Sequence, residues 1–450
     1  MIDEDELAAC LSLLDKVRSL PVDHPDRLRT ERAVDGFVRD GKRRRRADRR
    51  RESAAADAAV LGATALGRSD RPEDVAVDGA GPPGELRRDR TCYACKSPYR
   101  QVDGFYHWLC PDCADLNHAR RRARVELSGR RALVTGGRAK IGFHVARMLL
   151  RDGAHVTVTT RFPRDAARRF AADPVAAGAW DRLRIVGIDL RDPRQVLGLT
   201  DELLAAGDAL DILVNNAAQT VRRPAWSYGP LLAGEDRPLE IEPPELLVAP
   251  GFSAGLPAPD WTPALATGPG VELDRTGAAL DASGLLPDPA ATNSWSVRLG
   301  EVDPVELLEV QLVNVIAPYL LADRLLPVLA RSAFPRRYIV NVSAVEGWFA
   351  AGRKTERHPH TNMAKAALNM LTRTSAADLA GRGVYLTSVD TGWITDEKPA
   401  PAKADTAARG WQPPLDVVDG AARIYDPIVR GEEGRPPYGV FLKDYREVPW

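Results

Sequence analysis

The sequence predicts an α/β protein whose main domain is a doubly wound, mostly parallel sheet, preceded by a small cysteine module and a helical arm. Three observations support this fold class. From Leu127 onward, short β-branched apolar runs alternate with helical segments, as in sheets covered by helices on both faces. A glycine-rich turn at 135–142 separates the first such run from a helix. Two C-x-x-C pairs lie at 92–113, ahead of that domain.

The composition narrows the class of protein. With 450 residues, the chain is long enough for about two to three domains. Lys and Arg total 62 and Asp and Glu total 62, so any affinity for nucleic acid must come from a local patch. The N-terminus is acidic and no run of about 18 apolar residues occurs, so we expect neither a signal peptide nor a membrane span. Five cysteines, four of them paired for metal, favour a reducing compartment, and we expect a cytoplasmic protein.

Residues 1–88 form the predicted arm and linker. Apolar spacing predicts a helix over about Asp5–Leu20 and a second over about Arg27–Val38. An alanine-rich helical piece follows at 53–66, and a Gly/Pro/Asp-rich linker at about 68–86. We expect part of this arm to be disordered.

An arginine-rich run at 42–51 interrupts the arm. One interpretation is a solvated helix face or a flexible segment. The other is a contact with nucleic acid or with an acidic partner. No aromatic residue lies between the arginines, which disfavours a single-strand site built on base stacking.

The cysteine module covers 89–120. Each C-x-x-C pair aims two thiolates at one point, so Cys92, Cys95, Cys110 and Cys113 supply four sulfurs for a tetrahedral zinc ion. Four thiolates leave no open coordination position, which favours a structural site over a catalytic or redox site. Because the module is too small for a core of its own, metal binding would supply its folding energy. We therefore predict a small zinc ribbon, a module that often contacts nucleic acid, another protein or its own neighbouring domain.

The α/β domain is predicted over 128–450. A helix containing Val145–Leu150 follows the first strand, and another is predicted over Val310–Leu326. The predicted strands are Ala132–Val134, His155–Thr159, Leu183–Ile188, Ile212–Val214 and Tyr338–Val342.

The segment 221–302 breaks this alternation, because it is rich in Pro and Gly and has few periodic stretches. A loop of this length in a compact domain is functional or partly disordered. It contains Trp226, Tyr228, Trp261 and Trp295, too many aromatic residues for a simple linker. We therefore interpret it as an insertion that packs on the domain as a lid and forms a wall of the substrate pocket.

The glycine-rich turn reads Thr-Gly-Gly-Arg-Ala-Lys-Ile-Gly over 135–142. Glycines at a strand-to-helix turn let the backbone approach a pyrophosphate, and the helix N-terminus offers free N–H groups. The turn resembles the T-G-x-x-x-G-x-G motif of the short-chain dehydrogenase/reductase family, with Lys140 where that motif has its middle glycine. Further motifs follow in order over about 128–450, at Asp189–Leu190, Asn215–Ala218 and Asp390–Thr395, with single matches at Asn314 and Lys365.

This resemblance implies a Rossmann fold that binds a nicotinamide dinucleotide, and a family that often forms dimers or tetramers through the helices holding Asn314 and Lys365. The residues that it implies for cofactor binding are Thr135, Gly136, Arg138, Lys140, Ile141, Gly142, Arg161, Asp189, Leu190, Asn216, Ala217, Lys365, Gly392, Ile394 and Thr395.

Two arginines favour NADP over NAD. Sites that prefer NAD place a carboxylate after the second strand, where it meets the ribose 2′-hydroxyl. This chain has Arg161 there, and Arg138 lies inside the glycine turn. Two guanidinium groups suit a 2′-phosphate, although each arginine alone would be an ordinary surface charge.

The position of the family's catalytic tyrosine, four residues before the lysine, holds Thr361. An aliphatic hydroxyl is far too weak an acid to replace a phenol in proton transfer. No tyrosine occurs over 341–384, so a small shift of the alignment does not supply one. Ser343 fills the first position of the family's serine pair, and Ala344 fills the second, which is usually the catalytic one.

The predicted catalytic residues are Asn314, Ser343, His360, Thr361 and Lys365. His360 is included because a histidine titrates near neutral pH and can donate a proton. His358 and Glu346 are further candidates nearby, whereas the alternative for His360 is an ordinary loop or helix-capping residue.

Three functions remain open at this point. The first is an NADP-dependent oxidoreductase acting on a small carbonyl or alcohol with a non-standard proton donor. The second is an NADP-binding isomerase, dehydratase or epimerase without net oxidation. The third is a catalytically silent NADP-binding regulator that recruits a partner through its arm and cysteine module.

Overall fold

A computed structural model of the chain describes residues 3–242, 244–254, 280–352 and 354–450. Trp261, expected in the insertion, lies outside the described residues. The predicted doubly wound α/β class is confirmed, since helices cover both faces of a mostly parallel sheet.

The main sheet has nine strands among the described residues, in the order β11-β10-β9-β8-β6-β3-β4-β5-β7. Neighbours pair in parallel except for β10 and β11 at one edge. All five predicted strands are present. The strands are β3 (Arg131–Thr135), β4 (His155–Thr160), β5 (Leu183–Gly187), β6 (Ile212–Asn215), β7 (Glu245–Val248), β8 (Arg337–Ser343), β9 (Val384–Asp390), β10 (Phe441–Lys443) and β11 (Arg446–Val448).

Helices pack on the two faces around two apolar cores. On one face, α4 and α14 cover residues such as Val134 and Val158. On the other face, α7, α10 and α12 cover residues such as Leu133 and Leu213. The helices of the domain are α4 (Lys140–Arg151), α5 (Pro163–Ala172), α6 (Pro174–Ala177), α7 (Pro193–Ala206), α8 (Gly229–Glu235), α9 (Pro304–Gln311), α10 (Ala317–Arg324), α11 (Leu326–Ala330), α12 (Pro359–Gly381), α13 (Ala400–Ala408) and α14 (Val417–Glu432).

The strand order reverses between β3 and β6, because the chain builds outward from β3 in one direction and then returns to its other side. In open sheets of this kind, ligands bind outside the carboxyl ends of the strands at this switch point. The glycine-rich turn follows β3 directly and therefore lies at that point.

The described part of the insertion packs on the domain, as predicted. Its strand β7 adds to the edge of the sheet beside β5. Helix α8 contacts α5, where the Glu235 carboxylate accepts the backbone N–H groups of Arg164 and Asp165. Trp295 stacks on His358 with ring centroids 4.1 Å apart.

The cysteine module consists of the antiparallel strands β1 (Gly84–Thr91) and β2 (Pro98–Val102), followed by α3 (Pro111–Arg121). Strand β1 begins inside the segment expected to be linker. The linker itself is packed on the α/β domain, since the buried Arg71 donates hydrogen bonds to the carbonyls of Pro413 and Leu415.

The arm is an α-helical hairpin of α1 (Glu4–Arg18) and α2 (Pro25–Gly62). The prediction of two separate helices at 27–38 and 53–66 is wrong, because α2 runs without a break through the arginine-rich run. Arginine and alanine both have high helix propensity, and Asp40 and Asp48 lie within 4 Å of arginines one turn later.

One helical stretch among the described residues, Pro304–Arg324, has the length and hydropathy of a membrane span. The most apolar 18 residues of this stretch are 56% buried inside the protein. A helix that packs in the core of an α/β domain has the same properties. A π-helical turn at Leu312–Ile316 joins α9 and α10 within this stretch.

Candidate functional site

The glycine-rich turn is held by the loop after β6. The Thr135 hydroxyl accepts the backbone N–H groups of Asn216 and Ala217, both at 3.0 Å. The Asn216 amide in turn donates to the carbonyls of Thr135 (2.9 Å) and Gly136 (3.2 Å). A Cβ on Gly142 would lie 2.3 Å from the Gly136 carbonyl oxygen, so only glycine fits there. These contacts fix the backbone that faces the cavity.

Lys140 adopts the left-handed backbone conformation that glycine favours, with φ of +52°. The helix α4 begins at this residue, so the chain turns sharply where the family motif has a glycine. Its ammonium group lies 2.7 Å from the Asp74 carboxylate. Lys140 therefore has the backbone conformation that a glycine would adopt most readily at this position.

A cavity of about 400 Å³ lies outside the carboxyl ends of β3, β4, β5 and β6. Most of the predicted cofactor residues line it, whereas Thr135, Lys365, Gly392 and Ile394 do not. The predicted residues that line it are Gly136, Arg138, Lys140, Ile141, Gly142, Arg161, Asp189, Leu190, Asn216, Ala217 and Thr395.

The two arginines expected at the 2′-phosphate differ in what they contact. Arg138 is already paired, with Nη1 at 2.6 Å from an Asp165 carboxylate oxygen and 2.8 Å from the Ser283 carbonyl. Arg161 has no carboxylate within 4 Å among the described residues, and its guanidinium lies over the Tyr228 ring at 4.8 Å. Arg161 is therefore a cation available to an anionic ligand, whereas Arg138 is an ion-paired residue of the cavity wall.

Asp189 does not face the cavity as a free carboxylate. Arg191 pairs with it at 2.6 Å, and Arg191 also reaches Glu309 at 3.1 Å. Burial raises the pKa of Asp189, but the hydrogen bonds and charge of Arg191 outweigh it and lower the pKa below its usual value. The acid is thus ionised and fixed in place at the cavity's edge.

Lys365 lies inside the protein, with its ammonium group donating to the Val342 carbonyl at 2.8 Å. Burial lowers the pKa of Lys365 to about 8, against the attraction of Glu346 and Asp390, which raises it. Burial likewise raises the pKa of the Glu346 carboxyl. The lysine is therefore held by backbone and does not reach the described cavity.

The side chains of Asn314 and Ser343 are also hydrogen-bonded to backbone groups. The Asn314 amide bridges both backbone groups of Gln219, accepting its N–H at 2.7 Å and donating to its carbonyl at 3.0 Å. The Ser343 hydroxyl lies 3.4 Å from the Lys365 carbonyl. Both side chains are buried and tie the strand ends to the helices behind them.

His360 and Thr361 are buried at the start of α12 and do not line the cavity. The His360 ring nitrogen Nε2 lies 3.4 Å from a carboxylate oxygen of Glu306. Neither ring nitrogen, nor the Thr361 hydroxyl, has a hydrogen-bond partner among the described residues. The His360 ring therefore lies away from the cavity, beside Glu306.

Several cavity residues were missed by sequence reasoning. Leu285 comes from the insertion and was not named in advance, whereas Tyr228 is one of the insertion's aromatic residues that were expected in a pocket wall. Glu397 lines the cavity two residues after Thr395, and burial raises the pKa of its carboxyl. Nothing in the local sequence distinguishes Glu397 from other loop acids.

The four predicted metal ligands do come together. Their sulfur atoms all lie within 4.8 Å of one another, and the Cys95 and Cys110 sulfurs are 3.6 Å apart. Tetrahedral zinc with bonds of about 2.3 Å spaces its sulfurs by roughly 3.8 Å, so the donor set and its size fit zinc. Burial raises the pKa of the Cys95 thiol, but hydrogen bonds from Ser97 outweigh it and lower the pKa to about 6.

The family model described as short chain dehydrogenase matches residues 130–228, the segment that holds the glycine turn and Arg161. This segment of the chain therefore resembles the short-chain dehydrogenase family. The uncharacterised protein R665 of Acanthamoeba polyphaga mimivirus is similar over a longer span, 32% identical over 356 residues. That match covers 75% of this chain and 71% of R665.

Other relatives match shorter parts of this chain. A peroxisomal 2,4-dienoyl-CoA reductase of Danio rerio is 34% identical over 101 residues, covering 22% of this chain and 33% of that enzyme. A probable oxidoreductase of Streptomyces antibioticus is 41% identical over 93 residues, covering 21% of this chain and 30% of that protein. The chain thus spans about a third of the length of these two relatives.

Solved structures of short-chain dehydrogenases are also similar. One from Burkholderia cenocepacia, in complex with NADP, has a TM-score of 0.45 and 23% identity, covering 71% of this chain and 97% of that chain. An NADPH-bound carbonyl reductase from chicken fatty liver has a TM-score of 0.44 and 18% identity, covering 72% of this chain and 100% of that chain.

Proposed function

We propose that this protein is an NADP-dependent oxidoreductase of the short-chain type that acts on a small carbonyl or alcohol substrate. One observation carries the proposal: a cavity at the switch point of the sheet combines a glycine turn with Arg161, a cation that has no carboxylate partner among the described residues. A dinucleotide with a 2′-phosphate matches both features.

Different residues of the cavity would contact different parts of the dinucleotide. The turn over 136–142 would take the pyrophosphate, and Arg161 the 2′-phosphate, with Leu190 beside the adenine. When bound, the dinucleotide supplies a hydride to the carbonyl carbon, and the carbonyl oxygen takes up a proton to give an alcohol. The reductase and oxidoreductase names of relatives that match short parts of this chain support redox chemistry.

The cofactor preference is tested by titrating the full chain with NADPH and with NADH. Changing Arg161→Gln removes a charge-assisted contact, so we expect NADPH to bind about tenfold to a hundredfold more weakly, with NADH unchanged. Arg164→Gln is the matched control, because Arg164 contacts the Glu235 and Arg237 carbonyls and does not line the cavity. Absence of NADPH binding to the unchanged chain would refute the proposal.

A second candidate is an NADP-binding protein without turnover, and a specific observation favours it. The family's tyrosine is replaced by Thr361, and Ser343 and Lys365 are bonded to backbone away from the cavity. Incubation with NADPH and a panel of carbonyl compounds separates the two candidates. Oxidation of NADPH supports the enzyme, and tight binding without turnover supports the silent protein. Conversion of a substrate without net NADPH loss would instead indicate an isomerase, dehydratase or epimerase.

We also propose that the cysteine cluster holds one structural zinc ion. Its four sulfur atoms lie within 4.8 Å of one another, a donor set that suits one tetrahedral zinc ion. Metal analysis of the purified chain should find about one zinc per chain. Cys113→Ser should lose that metal, whereas Cys10→Ser should keep it, because Cys10 is an exposed residue of the arm.

A further inference from the structure

The cysteine module packs directly against the two loops that frame the inner end of the cavity. Its apolar core includes Ile394, Leu415 and Val417 of the α/β domain, and Ile141 packs on the same cluster. The family resemblance puts Ile394 beside the nicotinamide, and Ile141 lines the cavity from the glycine turn. The module is thus continuous with the cofactor cavity.

Tyr93 makes a polar contact with the loop over 390–395. Its hydroxyl accepts the backbone N–H of Trp393 at 2.8 Å and lies 3.4 Å from where a Cβ on Gly392 would be. Gly392 has φ of +82°, a conformation that glycine adopts readily, so the chain can turn at this residue. The tyrosine therefore holds the loop where it turns away from β9.

The position of Tyr93 is set by the cysteine cluster. It lies between the ligand cysteines Cys92 and Cys95 in the first C-x-x-C turn, and its own N–H donates to the Trp108 carbonyl at 2.7 Å. Metal ligation by Cys92 and Cys95 would therefore fix this turn together with the tyrosine in it.

A second contact comes from the segment just before the module. The Asp74 carboxylate pairs with Lys140 of the glycine turn and accepts the hydroxyl of Thr395. Both partners line the cavity, and Asp74 itself is almost fully buried. The N-terminal part of the chain therefore contacts both loops of the cavity.

We propose that the cysteine module is part of the dinucleotide site, with Tyr93 as a positioning residue that couples metal occupancy to dinucleotide binding. This inference rests on the proposed binding of NADPH. It assigns the metal a role in cofactor affinity in addition to its role in folding the module.

The test compares Tyr93→Phe with Tyr99→Phe in the full chain. Tyr99 is a matched control, because its buried hydroxyl donates to the His107 carbonyl within the same module and touches neither loop. We expect Tyr93→Phe to bind NADPH about fivefold more weakly at unchanged zinc content, since it loses one hydrogen bond. Tyr99→Phe should lower the melting temperature but leave the NADPH affinity unchanged.

Binding of 2′,5′-ADP distinguishes a local effect of Tyr93 on the loop over 390–395 from a general loss of affinity in the cavity. This ligand lacks the nicotinamide half of NADPH and so does not depend on that loop. Tyr93→Phe should bind it as tightly as the unchanged chain does. Equal NADPH affinity in both tyrosine variants, or equal weakening of NADPH and 2′,5′-ADP, would overturn the inference.

The metal is tested separately by removing zinc from the full chain with a chelator and adding it back. NADPH affinity should fall on removal and recover at about one equivalent of zinc, while circular dichroism monitors the α/β domain. Unchanged affinity in the folded, metal-free chain would also overturn the inference. If the unchanged chain binds no NADPH, the proposed function fails instead, which is a different result.

Discussion

At the residue scale, burial determines what each candidate side chain can do. Arg138 and Arg161 were equal candidates in the sequence, but Arg138 is paired with Asp165, whereas Arg161 faces the cavity without a carboxylate partner among the described residues. The sequence predicts which residue types gather at the switch point. It does not predict which of them form pairs with each other, because Asp165 and Ser283 come from distant segments.

Lys365 provides a prediction about pH. Burial lowers the pKa of Lys365 to about 8, whereas an unfolded lysine has a pKa of about 10.4. Between these values the unfolded chain binds more protons, so the free energy of unfolding rises with pH, and the full penalty applies below pH 8. Lys365→Met removes this penalty of about 3 kcal/mol, so its stability relative to the unchanged chain should be greatest at pH 7 and shrink towards pH 10.

Denaturant unfolding at pH 7 and pH 10 measures this difference. Lys16→Met serves as the control, because Lys16 is exposed on α1. If Lys365→Met changes the free energy of unfolding by the same amount at both pH values, the pKa of Lys365 is not lowered in the folded chain.

At the element scale, the sequence predicted the helices and strands whose apolar residues recur regularly. It did not predict strands made mostly of polar residues. β3, β4, β5, β6 and β8 carry buried β-branched residues and match their predicted positions closely. β1 reads Gly-Glu-Leu-Arg-Arg-Asp-Arg-Thr, with one fully buried side chain, so its pattern carries no strand signal. Asp74 was unpredictable for a related reason: its partners, Lys140 and Thr395, lie far away in sequence.

Helix α2 leads to a prediction about nucleic acid. Its 38 residues include no buried residue, and the arginines over 43–51 project from an exposed helix about 57 Å long. We expect the full chain to bind a fluorescein-labelled DNA duplex with strong salt dependence. Deleting residues 1–50 should abolish binding, and it keeps Asp57 and Val60, which contact β1.

A charge-matched comparison makes this prediction specific. Replacing three arginines of α2 with glutamine should reduce the slope of log affinity against log salt by up to about three, whereas replacing three exposed arginines elsewhere should not. The α2 set is Arg43, Arg46 and Arg50, and the control set is Arg87, Arg88 and Arg124. If the two sets have equal effects, or if the full chain does not bind the duplex, the arginines of α2 are only solvated side chains and do not form a DNA-binding surface.

At the scale of the whole molecule, the cysteine module and the α/β domain share one buried ion cluster. Arg121 of α3 contacts the carboxylates of Asp416 and Asp419 at the start of α14, and neither acid has any exposed side-chain surface. Arg121→Met leaves two buried carboxylates without their cation, so we expect it to destabilise the chain by about 3–5 kcal/mol in urea unfolding at pH 7. Arg122→Met, at an exposed neighbouring position, should cost less than about 1 kcal/mol. A small effect of Arg121→Met would mean that the module and the domain are only loosely joined.

The last prediction concerns assembly. The helices that hold Asn314 and Lys365 expose apolar side chains on their outer faces, and the family resemblance implies pairing there. These side chains are Leu308, Ile316, Tyr319, Met363 and Met370, each at least 40% exposed. We expect the chain to be a dimer or a tetramer in solution and Met363→Glu with Met370→Glu to break this pairing, because each buries a charge in the interface. Light scattering after size exclusion should show the mass per particle fall, whereas Leu299→Glu, at an exposed insertion residue, should leave it unchanged. A monomeric unchanged chain, or an unchanged mass in the double variant, would place any assembly surface elsewhere.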